Sequence, residues 1–354
     1  MNQIGLIGTP AKLVIEDNVL AVISDADLNV VSSAIYNGGC RKVKAILNIQ
    51  VPEGYSDRQL HEDPMHLVTT SSRKIGVHDN YLAMITAAKI ANLSHSARTE
   101  GNVAVNVVAT AGASHGESAG EPINAEQTPG TINIIVVIQG NPTDSCLAAA
   151  FVTATEAKTA ALNDLDIRSR YSGDAATGTI TDSLSVATTN TGPTIELGGP
   201  ASKLGQLVAS CVRQAVKEAV QKQDGTVPSR SIAARLRARH LPLEKLAFEL
   251  SKIKSLNADE VALAARLKEV ISNPLYASFL MAAAKLDDDV KKGLIPLEFG
   301  NIAEVSEGFG NLISEGDSRK ARNQGQPAKT ELDAVDLPPF LKQALVNILL
   351  NESP

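Results

Sequence analysis

A strand, an alanine-rich helix and a second strand follow one another between Gly130 and Ala187, and this succession limits what the chain can fold into. Ile132 to Ile138 is apolar on both alternating faces apart from Asn133. A short β-branched run with no polar face suits a central strand covered on both sides. Ser145 to Leu165 keeps helical spacing, with Leu147, Phe151, Ala154, Ala161 and Leu165 on one stripe. Lys158 falls on that same stripe. An ammonium directed into an apolar layer must find an anionic partner or lose its proton, because an unpaired buried charge is very costly. The alternation from Thr181 to Ala187 puts Asp182 on one face with Leu184 and Val186, so Lys158 and Asp182 are expected to meet. A purely structural ion pair tying helix to strand accounts for the same pattern.

The chain of 354 residues exceeds what one core usually supports, so two domains are expected. Hydrophobic residues at 44% and charged residues at 20% describe an ordinary globular protein. A net charge of −6 without a basic block, and aromatic residues at only 3%, argue against a nucleic-acid partner. No apolar run is long enough to span a bilayer, and residues 1–10 lack an export signal. Cys40, Cys146 and Cys211 stand far apart, which fits neither a disulfide framework nor a zinc knuckle and agrees with a reducing cytoplasm.

Four motifs recur in a fixed order. They are S-S-A-x-x-N-G-G with I-L-N-x-Q-V (Ser32–Gly39, Ile46–Val51), G-T-I-N-I-I-V from Gly130, A-T-E-A-K-x-x-A-L from Ala154, and A-T-G-T-x-T-D from Ala176. In this order and spacing they resemble the CbiZ family, the adenosylcobinamide amidohydrolases, over roughly the first two-thirds of the chain. The resemblance implies hydrolysis of the aminopropanol amide of adenosylcobinamide to adenosylcobyric acid, in salvage toward coenzyme B12. The corrinoid is then the substrate, with no separate cofactor and no metal. Lys158, Asp182 and Glu156 are the catalytic candidates. Asn37, Gly38, Gly39, Asn48, Asn133, Thr155, Thr177, Gly178, Thr179 and Thr181 are candidates for substrate contact.

Amide hydrolysis needs an activated nucleophile, stabilisation of the tetrahedral oxyanion and a proton for the departing amine. Lys158 serves as base if its pKa falls, or as a cationic oxyanion partner if Asp182 holds it charged. Thr177-Gly178-Thr179 offers turn amides as an oxyanion site. Glu156 lies across the helix from Lys158, which reads as a surface role although the motif includes it. Self-cleavage before Thr131 is a second route to a nucleophile, weakened because Thr131 heads a continuous strand. A corrinoid-binding or regulatory protein without catalysis remains a reading from another class.

Lys12–Ile15, Val19–Ile23, Val43–Val51 and Val103–Thr110 suit strands, Asn80–Asn92 a helix, and Ser114–Pro129 a mobile loop holding His115, a candidate proton carrier. Gly54–Val68 reads as a solvated loop rather than a metal site, despite His61, Glu62, Asp63 and His66. T-x-A-K at Thr86–Lys89 and Thr155–Lys158, each followed by a strand and a Thr–Gly turn, raises an internal duplication as an open alternative. Pro200 suits the first turn of an amphipathic helix over 201–222.

The expected fold class is α/β, a mixed layered sheet with flanking helices, followed by a smaller all-α domain. The boundaries are 1–222 for the amidohydrolase-like domain, 223–230 for a linker, 231–315 for helices, 316–336 for a disordered stretch and 337–354 for a last helix. Part of the helical region, from R-H-L-P-L-E-K-L to L-I-P, resembles the small soluble domain of the phosphatidylglycerophosphatase A type. No catalytic residue is carried over from that likeness. Docking or homo-oligomerisation is the role expected of this appendage.

Overall fold

The computed structural model describes residues 2–53, 62–122, 130–295, 302–315 and 327–351. The chain divides into two compact units, residues 1–229 and 230–354.

The first unit is built on a curled mixed sheet of nine strands. In chain order these are β1 (Asn2–Gly5), β2 (Lys12–Glu16), β3 (Val19–Ser32), β4 (Gly39–Gln50), β5 (Tyr81–Thr86), β6 (Ser94–Glu100), β7 (Val103–Gly112) and β8 (Thr131–Gln139), with β10 (Ser183–Thr188) after the two-residue β9 (Asn141–Pro142). The order is β1-β2-β3-β10-β8-β7-β6, and β4 adds to β3 and β5 to β4. Short β9 pairs separately with β11 (Thr194–Ile195). β8 runs parallel to β10 and antiparallel to β7, with every residue from Thr131 to Ile138 buried. Its Ile132, Ile134, Val136 and Ile138 pack against helices α2 (Asp144–Asp164) and α3 (Lys203–Asp224). Ile135 and Val137 face the inside of the curl, with Leu20, Ile46, Leu82 and Met84. The two-sided burial expected of this run follows from a helical layer on one face and the sheet's own curvature on the other.

Helix α2 begins where the Thr143 hydroxyl accepts the Cys146 N–H. It is joined to α3 by Asp164, whose carboxyl is held down to about 2 mainly by its hydrogen bond to Arg213, with help from Lys217. Pro200 lies before α3 rather than in its first turn; Ser202 caps the helix, which ends at left-handed Gly225.

Three expectations are corrected. Asn80–Asn92 is not a helix: Tyr81–Thr86 pairs parallel with β4, and only a 3-10 turn follows at Ile90–Asn92. Six residues paired along β4, five of them buried, gain more from the ladder than from a single isolated helical turn. Thr86–Lys89 therefore follows a strand whereas Thr155–Lys158 lies within a helix, and the duplication has no structural counterpart. Gly54–Val68 is not a loop throughout: Pro64 opens helix α1 (Pro64–Lys74), with Asp63 accepting the His66 N–H at 2.9 Å. His61 lies outside the described residues.

The second unit carries α4 (Ile232–Arg237), α5 (Leu243–Leu250), α6 (Glu260–Ser272), α7 (Pro274–Lys291), α8 (Ile302–Glu315), α9 (Lys329–Asp333) and α10 (Pro339–Asn351). Its core gathers Leu246, Leu263, Leu267, Leu280, Phe340 and Leu345. Asp287 receives the Phe340 and Leu341 N–H groups at the start of α10, and burial raises its carboxyl to about 6. The disorder expected over 316–336 is corrected in part. Residues 316–326 lie outside the described set, while 329–333 form α9, Val335 is buried and the Asp336 N–H donates to Glu249. Among the described residues no helix is long and apolar enough to cross a membrane.

Candidate active site

Strand starts and a turn bring the motif segments to one end of the curled sheet. β8 and β10 are parallel and in register from Asn133↔Ser183, so β10 starts beside the third residue of β8. The end of β3 joins them: Ser33 receives the Leu184 N–H on its hydroxyl, and its own N–H donates to the Leu184 carbonyl. Helix α2 crosses this end with Lys158 in its second half, facing the turn at 177–182.

Lys158 and Asp182 form an ion pair, each with 14% of its side chain exposed. Asp182 lies one residue before β10 rather than within it. Its Oδ2 accepts from Lys158 Nζ and, at 3.1 Å, from the Thr179 N–H; its Oδ1 accepts from the Ile132 N–H at 3.0 Å and from the Thr179 hydroxyl. A carboxylate has about four acceptor positions, so Asp182 is saturated. It acts as a clasp between helix, turn and β8, with no acceptor position left for a further donor. Asp182 is the partner of Lys158 Nζ among the described residues, and an ammonium has three donors. Gly178 makes this contact possible, since a Cβ there would stand 2.5 Å from Asp182 Oδ2 and 2.8 Å from Lys158 Nζ.

The other expected residues divide. The Thr177-Gly178-Thr179 amides are not free for an oxyanion. The Thr177 and Gly178 N–H groups donate to the Glu117 carbonyl at 2.8 and 3.2 Å, and the Thr179 N–H to Asp182. Thr181 bonds the Gly130 carbonyl and the hydroxyl of buried Thr131, latching the turn to β8. Thr155 and Glu156 are exposed, and the Thr155 hydroxyl donates back to the Phe151 carbonyl. Two residues from Lys158 on a helix is a turn to the other side, so Glu156 is not brought to the pair. Asn37-Gly38-Gly39 forms the β3–β4 turn: Asn37 and Gly39 have φ of 53° and 89°, and the Asn37 amide donates to the Tyr81 carbonyl. Gly38 is packed against the Ala34 carbonyl, with no room for a Cβ.

Asn48 and Asn133 are buried in the sheet interior rather than presented to a ligand. The Asn133 amide donates to Asn48 Oδ1 and to the Ile85 carbonyl at 2.8 and 2.9 Å, and the Asn48 amide donates to the Thr110 hydroxyl at 2.8 Å. Asn48→Leu leaves the Asn133 amide short of an acceptor, and is expected to cost about 1–3 kcal/mol in urea unfolding. A loss under about 0.5 kcal/mol contradicts this account of the network.

The sequence reading passed over one neighbour of the pair. Gly116–Glu121 is not a mobile loop: Glu117 bridges Gly178 in antiparallel fashion, the Arg170 N–H donates to Gly116, and Glu121 receives the Ser118 N–H and the Ser169 hydroxyl. Residues 123–129 lie outside the described set. Burial, then the charge of Glu121, raise the Glu117 pKa, with Arg170 and the Tyr171 hydroxyl opposing. His115 Nδ1 stands 3.3 Å from Arg170 Nη1; a guanidinium only donates, so the imidazole is neutral with its proton on Nε2. Burial and Arg170 lower its pKa accordingly. A glutamate in a Gly/Ser-rich stretch looks solvated in sequence, and only the long-range bridge to Gly178 shows otherwise. Among the described residues no three His, Cys, Asp or Glu side chains converge to hold a metal. A surface cleft bordered by Asp17, Gln50, His66 and Lys74 includes none of the residues around Lys158.

Fold and site together define an α/β domain whose strand ends gather a largely buried ammonium–carboxylate pair. The profile of the family described as adenosylcobinamide amidohydrolase, CbiZ, matches residues 9–228, and the chain belongs to this family. It is 31% identical over 208 residues to the protein MJ1613 of Methanocaldococcus jannaschii, spanning 52% of this chain and 80% of that one. Two proteins named adenosylcobinamide amidohydrolase are also similar. That of Methanosarcina mazei is 28% identical, over 58% of this chain and 96% of its own, and that of Halobacterium salinarum is 26% identical, over 54% and 80%. The crystal structure of the PH0078 protein from Pyrococcus horikoshii OT3 aligns over 60% of this chain and 83% of its own, at 12% identity and a TM-score of 0.30.

Proposed function

We propose that the chain hydrolyses the aminopropanol amide of adenosylcobinamide, giving adenosylcobyric acid and 1-amino-2-propanol, in corrinoid salvage within the cytoplasm. Family membership supplies the substrate class. The observation that carries the chemistry is the asymmetry of the clasp: Asp182 has every acceptor position engaged, whereas the Lys158 ammonium has one partner among the described residues. Lys158 is therefore the cation that meets the developing oxyanion, with Asp182 orienting it. The corrinoid enters as substrate, and side chains and water carry the reaction. The helical unit is assigned docking or self-association.

A second reading, a corrinoid-binding protein without catalysis, is favoured by the engagement of all three turn amides with protein partners. The two are separated by incubating the full chain with adenosylcobinamide and measuring free 1-amino-2-propanol. Release proportional to time and protein supports the hydrolase. Saturable binding of the corrinoid without release supports the binder.

A further inference from the structure

We propose that Glu117 is the general base that activates the hydrolytic water and then hands the proton to the departing amine. This rests on amide hydrolysis being the reaction. The placement comes first. Glu117 and Gly178 oppose each other in an antiparallel bridge, and directly opposed residues project to the same side. On that side the space a Gly178 Cβ would enter is already bounded by Asp182 Oδ2 and Lys158 Nζ. The Glu117 side chain thus rises beside the clasp, close enough for the charge of Asp182 to act on it.

The second observation is an unmet bond. Glu117 Oε1 and Tyr171 Oη are both shielded from solvent; they lie near enough for the hydroxyl to hold the Glu117 pKa down in part, yet neither atom closes a hydrogen bond. Shielded polar atoms without partners are uncommon, and a bridging water or a substrate group resolves them. The backbone beneath is held from both directions: the Glu117 N–H donates to Gly178 at 2.9 Å, and its carbonyl receives two amides. Such anchoring keeps a reacting group in position without ordering cost at the moment of reaction. A carboxyl raised by burial, as Glu117 is, has the basicity the task requires. The alternatives nearby are occupied. Asp182 is saturated, Glu156 is exposed, and His115 Nδ1 faces Arg170.

The step balances as follows. The Glu117 carboxylate takes a proton from water as the water oxygen bonds to the amide carbon, and the carbonyl π pair moves onto oxygen, facing the Lys158 ammonium. Collapse re-forms the C=O bond and breaks C–N. The amine nitrogen takes the proton from the Glu117 carboxylic acid, leaving a carboxylic acid product and free amine.

The test is Glu117→Gln in the full chain with adenosylcobinamide. The expected result is a fall in kcat of roughly 10²–10⁴-fold, with corrinoid binding within roughly threefold of wild type. The acid limb of the wild-type kcat/KM profile, lying above the ordinary glutamate range, is expected to be gone from the residual rate. Glu117→Asp, which keeps the charge, is expected to retain that limb at reduced rate, and covers the case in which the amide variant fails to fold. Wild-type turnover matched by a folded Glu117→Gln, or an acid limb unchanged in it, overturns the base while leaving the hydrolase reading intact. A wild type that binds the corrinoid and releases no amine overturns both.

Discussion

Lys158→Met is expected to lower turnover of adenosylcobinamide by about 10²–10³-fold, the usual loss when one oxyanion donor is removed. Methionine keeps the length and apolar stem of lysine but supplies no N–H. Circular dichroism is expected to be retained, because Asp182 keeps the Ile132 and Thr179 donors when the ammonium is gone. Stability falls by about 1–3 kcal/mol, as a carboxylate that is mostly buried loses its counter-charge. Asp182→Asn differs in kind. Its amide replaces one acceptor oxygen with a donor, so it loses turnover together with the tie to β8 or to the turn. Amine release at the wild-type rate from Lys158→Met removes that residue from the chemistry and leaves the pair structural.

Gly178→Ala is expected to be nearly as damaging, although it removes no functional group. The added methyl would stand 2.5 Å from Asp182 Oδ2 and 2.8 Å from Lys158 Nζ, both well inside contact distance. The backbone has little freedom to retreat, since residue 178 is bonded to Glu117 through both its N–H and its carbonyl. The pair must therefore part or the bridge must break, at about 1–3 kcal/mol for such overpacking. At least a tenfold loss of turnover is expected, because a displacement on the order of 1 Å at a reacting centre is enough. Unchanged thermal midpoint and turnover in Gly178→Ala would show that the pair tolerates displacement and plays no positioning part.

Much of the scaffold could be read from local pattern. The β-branched run at 132–138, the alanine-rich helix at 145–165 and the alternation at 181–187 follow patterns that sterics impose on any chain, and they formed with boundaries shifted by a residue or two. Lys158 and Asp182 meet as expected, although Asp182 does so from the turn one residue before β10 rather than from within the strand. Tyr81–Thr86 did not follow, because a six-residue apolar run has no decisive period and its state is set by the neighbouring β4.

The sequence by itself thus determined which faces are apolar, where β2, β3, β4, β7, β8, β10 and the long helices of the first unit lie, and which two charges are turned inward to pair. These properties depend on neighbours within a few residues. Only the tertiary structure decided which hydrogen-bonding groups stay free once those elements pack. The Glu117 carbonyl takes two of the turn amides, Asp182 fills with four donors, the Asn133 amide donates to Asn48 inside the sheet, and Glu117 Oε1 is left shielded. Each of those outcomes joins residues dozens of positions apart or depends on such contacts, and directional bonds between distant segments leave no periodic trace in the chain.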